Sequence, residues 1–382
     1  MLPFAVLVAA ASSASSASPA GGVCAPPSVC TQPPAAFVKQ QWEHPRVQWN
    51  INGGFCGAFS LQTLMMVHGA WVSEDLVRKA NIGARCFGHG NGPNSTVCMS
   101  KDDGDCISSP PNGCEVGPEN YAATCKGLRL DCDVWDYTRA TPQTDAYKSW
   151  LKAHLVAGTP VVWVPMLKGA SNTPYGNRSC PGGGHFNHHE PVLGIGSNRS
   201  LSDLTVYDDD WLVHLSDEDE RELVTYYRTF GSLQDSYAMA GNCLHSDPTR
   251  SCAYPCFFDD VTYGIAVRGF QQQQQPPAAA ADRRLPVSID VDITAEPDGR
   301  DGDKPVELHA NVTVHELTPG ARYTLYRYGG FNSFPASSGA SGSPESKVAF
   351  VATSAAWRYR DPRPFLSNGA VYYTAAPDTG SL

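Results

Sequence analysis

Hydrophobic and polar positions fall into two textures along the chain. From Cys56 to Val67 (CGAFSLQTLMMV), residues Phe59, Leu61, Leu64 and Met65 recur at a helical period behind two glycines, which predicts a buried helix opening at Cys56. Ser73 with Glu74 and Asp75 behind it predicts an N-capped short helix to Ala80. Pro118 to Lys126 and Thr144 to Val156 predict two further helices, each leading to a strand. Val192 to Gly196 is an apolar, glycine-ended strand. Leu204 to Trp211 predicts another strand, ending in the carboxylates Asp208, Asp209 and Asp210, and Tyr263 to Phe270 a closing strand. After Leu285 the texture changes to short alternating runs between turn signals. Val287 to Ile293, Val306 to Val314, Tyr323 to Tyr328, Lys347 to Ala352 and Ala370 to Thr374 predict a β-sandwich-like region.

Composition sharpens that division. A chain of 382 residues with 42% hydrophobic residues has a sizeable core and room for two domains, so wholesale disorder is excluded. All thirteen cysteines lie between Cys24 and Cys256. Gln271 to Arg284 (QQQQQPPAAAADRR) is a low-complexity linker. The expected organisation is a signal peptide over 1–20, an α+β domain over 37–270, a linker over 271–284 and a β-sandwich-like accessory domain over 285–382. With Tyr263–Phe270 closing the first core, the two regions are expected to fold independently.

Charge and cysteine usage bound the function. A net charge of −10 without a basic stripe argues against a nucleic-acid partner. The apolar start MLPFAVLVAAA, the sequons beginning at Asn94, Asn177, Asn198 and Asn311, and the many cysteines together predict a secreted or lumenal glycoprotein stapled by disulfides. No stretch of 18 apolar residues predicts a transmembrane segment. Thirteen is odd, so at least one thiol is left over. The other twelve are expected to form six disulfides within the first region.

Cys56 is the candidate free thiol, because a helix's first turn favours thiolate over thiol. A thiolate nucleophile needs a base, and Gly182 to Gly196 (GGGHFNHHEPVLGIG) brings His185, His188 and His189 before an apolar strand. A carboxylate among Asp208, Asp209 and Asp210 can orient the imidazole. Adjacent histidines on a strand point to opposite faces, which disfavours a metal held by both, and no cofactor is expected. Asn50, or Gln48 in its place, can donate a side-chain amide to an oxyanion.

Cysteine, then histidine on one strand, then aspartate on the next resembles the papain-like cysteine peptidases, closer to the peptidase C39-like group than to papain. Gly57 to Leu61 after Cys56 resembles that group's C-G-x-x-S/A-L pattern. Leu155 to Val164 (LVAGTPVVWV) resembles its L-x-x-G-x-P-V-[IV] step. His188 precedes Gly194-Ile195-Gly196 by six residues, and Asp209 precedes Trp211 by two, as in that pattern. The 132-residue separation of Cys56 and His188 fits the papain window of roughly 130–150. Asn50 stands where these families usually carry glutamine. The resemblance implies a helical part bearing Cys56 and an antiparallel sheet bearing His188 and Asp209. It implies a monomeric, secreted peptidase acting on peptide or protein substrates through Cys56, His188, Asp209 and Asn50. A transferase using the same thioester and an inactive extracellular binding protein are the alternatives.

Overall fold

In this computed structural model the described residues are 31–40, 56–80, 116, 120–164, 166–167, 185–186, 189–216, 224–234, 237–239, 252–254, 262–271, 285–292, 305–330 and 343–378. The first region contains β1 (Phe37–Gln40), α1 (Cys56–Val67), β2 (Ala70–Val72), α2 (Glu74–Lys79), α3 (Tyr121–Gly127), β3 (Leu130–Val134) and α4 (Thr144–Ala157). It continues with β4 (Val161–Trp163), β5 (Met166–Leu167), β6 (His185–Phe186), β7 (Glu190–Ser197), β8 (Trp211–Ser216), β9 (Val224–Thr229), β10 (Tyr237–Met239), β11 (Cys252–Tyr254) and β12 (Gly264–Phe270). The second region contains β13 (Val287–Asp292), β14 (Glu307–Val314), β15 (Arg322–Tyr328), β16 (Ser346–Val351), β17 (Trp357–Arg360), β18 (Phe365–Leu366) and β19 (Ala370–Pro377). The architecture is mixed and rich in sheet.

An antiparallel sheet of order β3-β12-β4-β7-β8-β9, with β1 added to β7, organises the first region. Strand alternation divides its side chains between two cores. Val162, Leu193, Ile265 and Val267 face α1, whereas Val161, Trp163, Val192 and Ala266 face Leu151 and Leu155 of α4. The Tyr263–Phe270 segment forms β12, but it lies between β3 and β4 inside the sheet rather than at its edge. The helices expected at Ser73 and Thr144 form. The Ser73 hydroxyl caps α2 by accepting from the Leu76 amide at 3.3 Å.

Two four-stranded antiparallel sheets make the second region: β13-β14-β17 with β18 on β14, and β16-β15-β19-β2. Ile289, Ala310, Val312, Leu325, Val371 and Ala375 fill the space between them.

The last strand of the second sheet, β2, comes from the first region, so the two regions are not separate bodies. Ala70, Trp71 and Val72 pair with Tyr372, Val371 and Ala370. The Trp71 indole donates to the Ser367 carbonyl at 3.1 Å, and the Ser73 hydroxyl to the Asn368 carbonyl at 3.1 Å. Met66 and Trp71 belong to the core between the sandwich sheets, while Tyr328 and Tyr372 belong to the core around α1. Gly69 makes the sharp passage from α1 to β2. Its φ is +82°, and a Cβ there would stand 2.9 Å from the Tyr373 carbonyl oxygen.

This joint follows from α1 itself. Every residue of α1 after Cys56 is buried, including Ser60, Gln62 and Thr63. Such a helix has no face to give to water and must be covered all round. The seven-stranded sheet covers one side and the second region much of another. Gln62 satisfies its buried amide by donating to the Val72 carbonyl at 2.7 Å.

Candidate active site

Cys56 is the first residue of α1 and is half-buried, with its thiol free of any disulfide. Gly57 behind it packs so tightly that a Cβ would stand 2.7 Å from the Val116 Cβ. That contact seats the first turn of α1 and leaves the adjoining thiol at the edge of the core.

The imidazole that meets the thiol belongs to His189. Its Nδ1 stands 3.6 Å from Cys56 Sγ. Its Nε2 stands 2.7 Å from the hydroxyl of Tyr121, whose ring meets the imidazole edge-on at 5.8 Å between centroids. The Ser60 hydroxyl donates to the His189 carbonyl at 3.0 Å, fixing the His189 backbone to the helix of the thiol. His189 directly precedes β7, and strand alternation then sends Glu190 to the other side of the sheet. There Glu190 accepts from the Trp163 indole at 3.1 Å and the Tyr226 hydroxyl at 2.5 Å. His214 stacks on Tyr226 in the same buried group. Burial, reinforced by the Arg228 charge, holds the His214 imidazole well below its ordinary range, so it is neutral.

Of the candidate histidines, His189 is described and reaches Cys56; His188, Asn50 and Gln48 lie outside the described residues. Asp209 is not brought to that imidazole. Its carboxylate takes two hydrogen bonds from the Arg199 guanidinium, each at 2.5 Å, and is about half exposed. Arg199 thereby holds the Asp209 carboxyl below the usual carboxylate range. The cause is local: residues 204–210 are not a strand. Asp210 folds the chain into a turn, its amide bonding to the Tyr207 carbonyl and its carboxylate accepting from the Tyr207 amide. Asp210 is itself buried in an ion pair with Lys152 at 2.7 Å and accepts from the Ser197 hydroxyl at 2.5 Å. Thus one carboxylate of the acidic run sits in solvent and its neighbour anchors β7, β8 and α4.

Tyr121 was invisible to sequence reasoning. It sits in the first turn of a short helix, where an aromatic serves as an ordinary core residue, and it reaches His189 across 68 positions of sequence. Val116 carries no local signal either, whereas Ser60 is the serine of the C-G-x-x-S/A-L pattern.

The described cysteines include one disulfide, Cys125–Cys132. The remaining cysteine pairings and the 1–20 segment fall outside the described residues. Among the described residues, no group of three His, Cys, Asp or Glu side chains could hold a metal ion, and no helix is long and apolar enough to cross a membrane. Compared with protein-family models, curated proteins and solved structures, the chain matches none.

The arrangement provides a thiol, a proton acceptor beside it, and a hydroxyl on the acceptor's far nitrogen. With Nε2–H donated to Tyr121, the Nδ1 lone pair lies on the Cys56 side of the ring and can take the thiol proton. The amides of the first turn of α1, which have no partner within the helix, can face developing negative charge.

Proposed function

We propose that the chain is a secreted, papain-like cysteine peptidase of the C39-like kind, with Cys56 as nucleophile and His189 as base. The observation that carries this reading is the 3.6 Å approach of a thiol outside any disulfide, at the opening of a buried helix, to the Nδ1 of an imidazole held at its other nitrogen. Helix-borne thiol and sheet-borne imidazole are the arrangement that the motif resemblance implies.

In the proposed reaction His189 Nδ1 takes the Cys56 proton, and the thiolate forms a C–S bond to the substrate carbonyl carbon. The first-turn amides of α1 receive the oxyanion, joined by the Asn50 side-chain amide. Each such donor is worth about 3 kcal/mol of barrier. As the tetrahedral species collapses, the C–N bond breaks and the imidazolium gives its proton to the departing amine. Water then passes a proton to His189 and attacks the thioester, and cleavage of the C–S bond restores the thiol.

The test is labelling by an epoxide thiol trap at mildly acidic pH, with the adduct mapped by mass spectrometry, beside hydrolysis of a peptide library. The expected result is one adduct, at Cys56, and hydrolysis that disappears in Cys56→Ser. Alkylation of Cys56 at the rate of free cysteine, with no peptide cleaved, would sink the reading. Products joined to an added amine in place of hydrolysis would mark the transferase alternative.

A further inference from the structure

Helix α3 holds the phenol that touches His189, yet it spans only Tyr121–Gly127. So short a helix has little stability of its own and takes its place from what it is fastened to. One fastening is covalent. Cys125, one turn after Tyr121, is bonded to Cys132 in β3. Residues four apart share a helix face, so the bridge and the phenol act on one side of α3. Cys132 pairs with Val267 in β12, β12 pairs with β4, and β4 pairs with β7, which begins directly after His189. The disulfide therefore ties the helix carrying Tyr121 to the sheet carrying the base.

We propose that Tyr121 is the positioning residue of the His189 imidazole, in the role that the sequence assigned to Asp209, and that the Cys125–Cys132 bridge holds it there. The reactivity of Cys56 is then coupled to the redox state of two cysteines it never touches. This inference rests on Cys56 and His189 acting as nucleophile and base. A phenol differs from a carboxylate in carrying no charge and in being able both to donate and to accept. It accepts from Nε2–H of the neutral ring, which leaves Nδ1 to take the thiol proton, and goes on accepting when the ring is cationic. Losing it leaves the imidazolium without that acceptor and moves formation of the thiolate–imidazolium pair to higher pH.

A small dithiol would break the bridge by thiolate attack. Cys132 is the half-buried end, whereas Cys125 is only 5% exposed. The S–S bond breaks, two thiols form, and the dithiol closes to a cyclic disulfide, giving up two electrons and two protons.

Iodoacetamide alkylation of Cys56 in the full chain, followed against pH and mapped by mass spectrometry, tests both parts. Tyr121→Phe should move the rate profile up by about one pH unit, about tenfold slower on its acidic limb. Cys125→Ala with Cys132→Ala should move it in the same direction, and adding Tyr121→Phe to that pair should change it little, because the residues act as one unit. If the double replacement does not fold, Cys132→Ser alone gives the same comparison, the mapped adduct separating Cys56 from Cys125. A lowered melting temperature with an unmoved pH profile, or effects of Tyr121 and the bridge that simply multiply, overturns the proposal. Peptide hydrolysis is scored separately. Shifted profiles in a chain that cleaves no peptide leave the positioning role standing and remove the peptidase reading. Alkylation of the unaltered chain at the free-cysteine rate removes both.

Discussion

The two regions solve the burial of their elements differently. In the second region, strands such as β14 alternate buried and half-exposed residues, and the two sheets shield one another. In the first, the seven-stranded sheet is covered on both faces, and α1 is buried around its whole circumference. That region also encloses ionisable groups, with Lys152 and Asp210 paired in full burial and His214 beside Glu190. The comparison teaches that the sandwich is not an appendage. It gives α1 one of its walls, and α1 gives the sandwich a strand.

The harshest way to break this account is to remove the second region. A chain ending at Gln271 is expected to lose its cooperative fold, since Met66, Trp71 and the edge of β2 would stand bare. Soluble expression and near-ultraviolet circular dichroism check this, and a soluble fragment whose Cys56 alkylates as in the full chain would show the wall to be dispensable. Next in size, Trp71→Ala should cost about 3–5 kcal/mol. In denaturant it should move the unfolding of both regions together. Separate transitions, with only one displaced, would restore two independent domains.

The neighbouring aspartates sharpen the contrast between buried and exposed charge. Replacing Asp210 by alanine leaves Lys152 buried without its partner and should cost about 3–5 kcal/mol. Asp209→Ala should change stability by less than about 1 kcal/mol, because its bond to Arg199 is exposed to solvent. Equal effects in denaturant titrations would contradict the positions given to the two carboxylates.

A further effect of small size is set by acid. His214 is neutral when folded, with its pKa well below the ordinary 6.5. Below about pH 6.5 the unfolded chain therefore binds a proton that the folded chain does not, so this contribution is full above that pH and lost as pH falls. Between pH 7.5 and 5.5 the loss should be about 1 kcal/mol. His214→Phe should reduce the measured difference by that amount, and an unchanged difference would mean that His214 ionises within the fold.

Local chemistry made parts of this structure legible. The Ser73 cap, the period of α4 and the alternation of β14 and β15 each express a preference of neighbouring residues, and those elements formed. β2 was not legible, because three apolar residues after a buried helix carry no sign of a partner hundreds of positions away. The turn at Asp208–Asp210 was misread as strand because the burial of Asp210 depends on Lys152, far off in α4. For the site, the cysteine and the histidine cluster were visible through helix and strand patterns. Which histidine faces the thiol, and the presence of Tyr121 behind it, depend on packing between distant segments.

The pairing of β2 with β19 also sets a clock. Trp71 and its acceptor Ser367 are 296 residues apart. At roughly 5–20 residues per second on a ribosome, about 15–60 seconds pass between their syntheses. During that interval the helix bearing Cys56 exists without its last wall. A nascent chain therefore presents Cys56 early and can set it into a finished core only late.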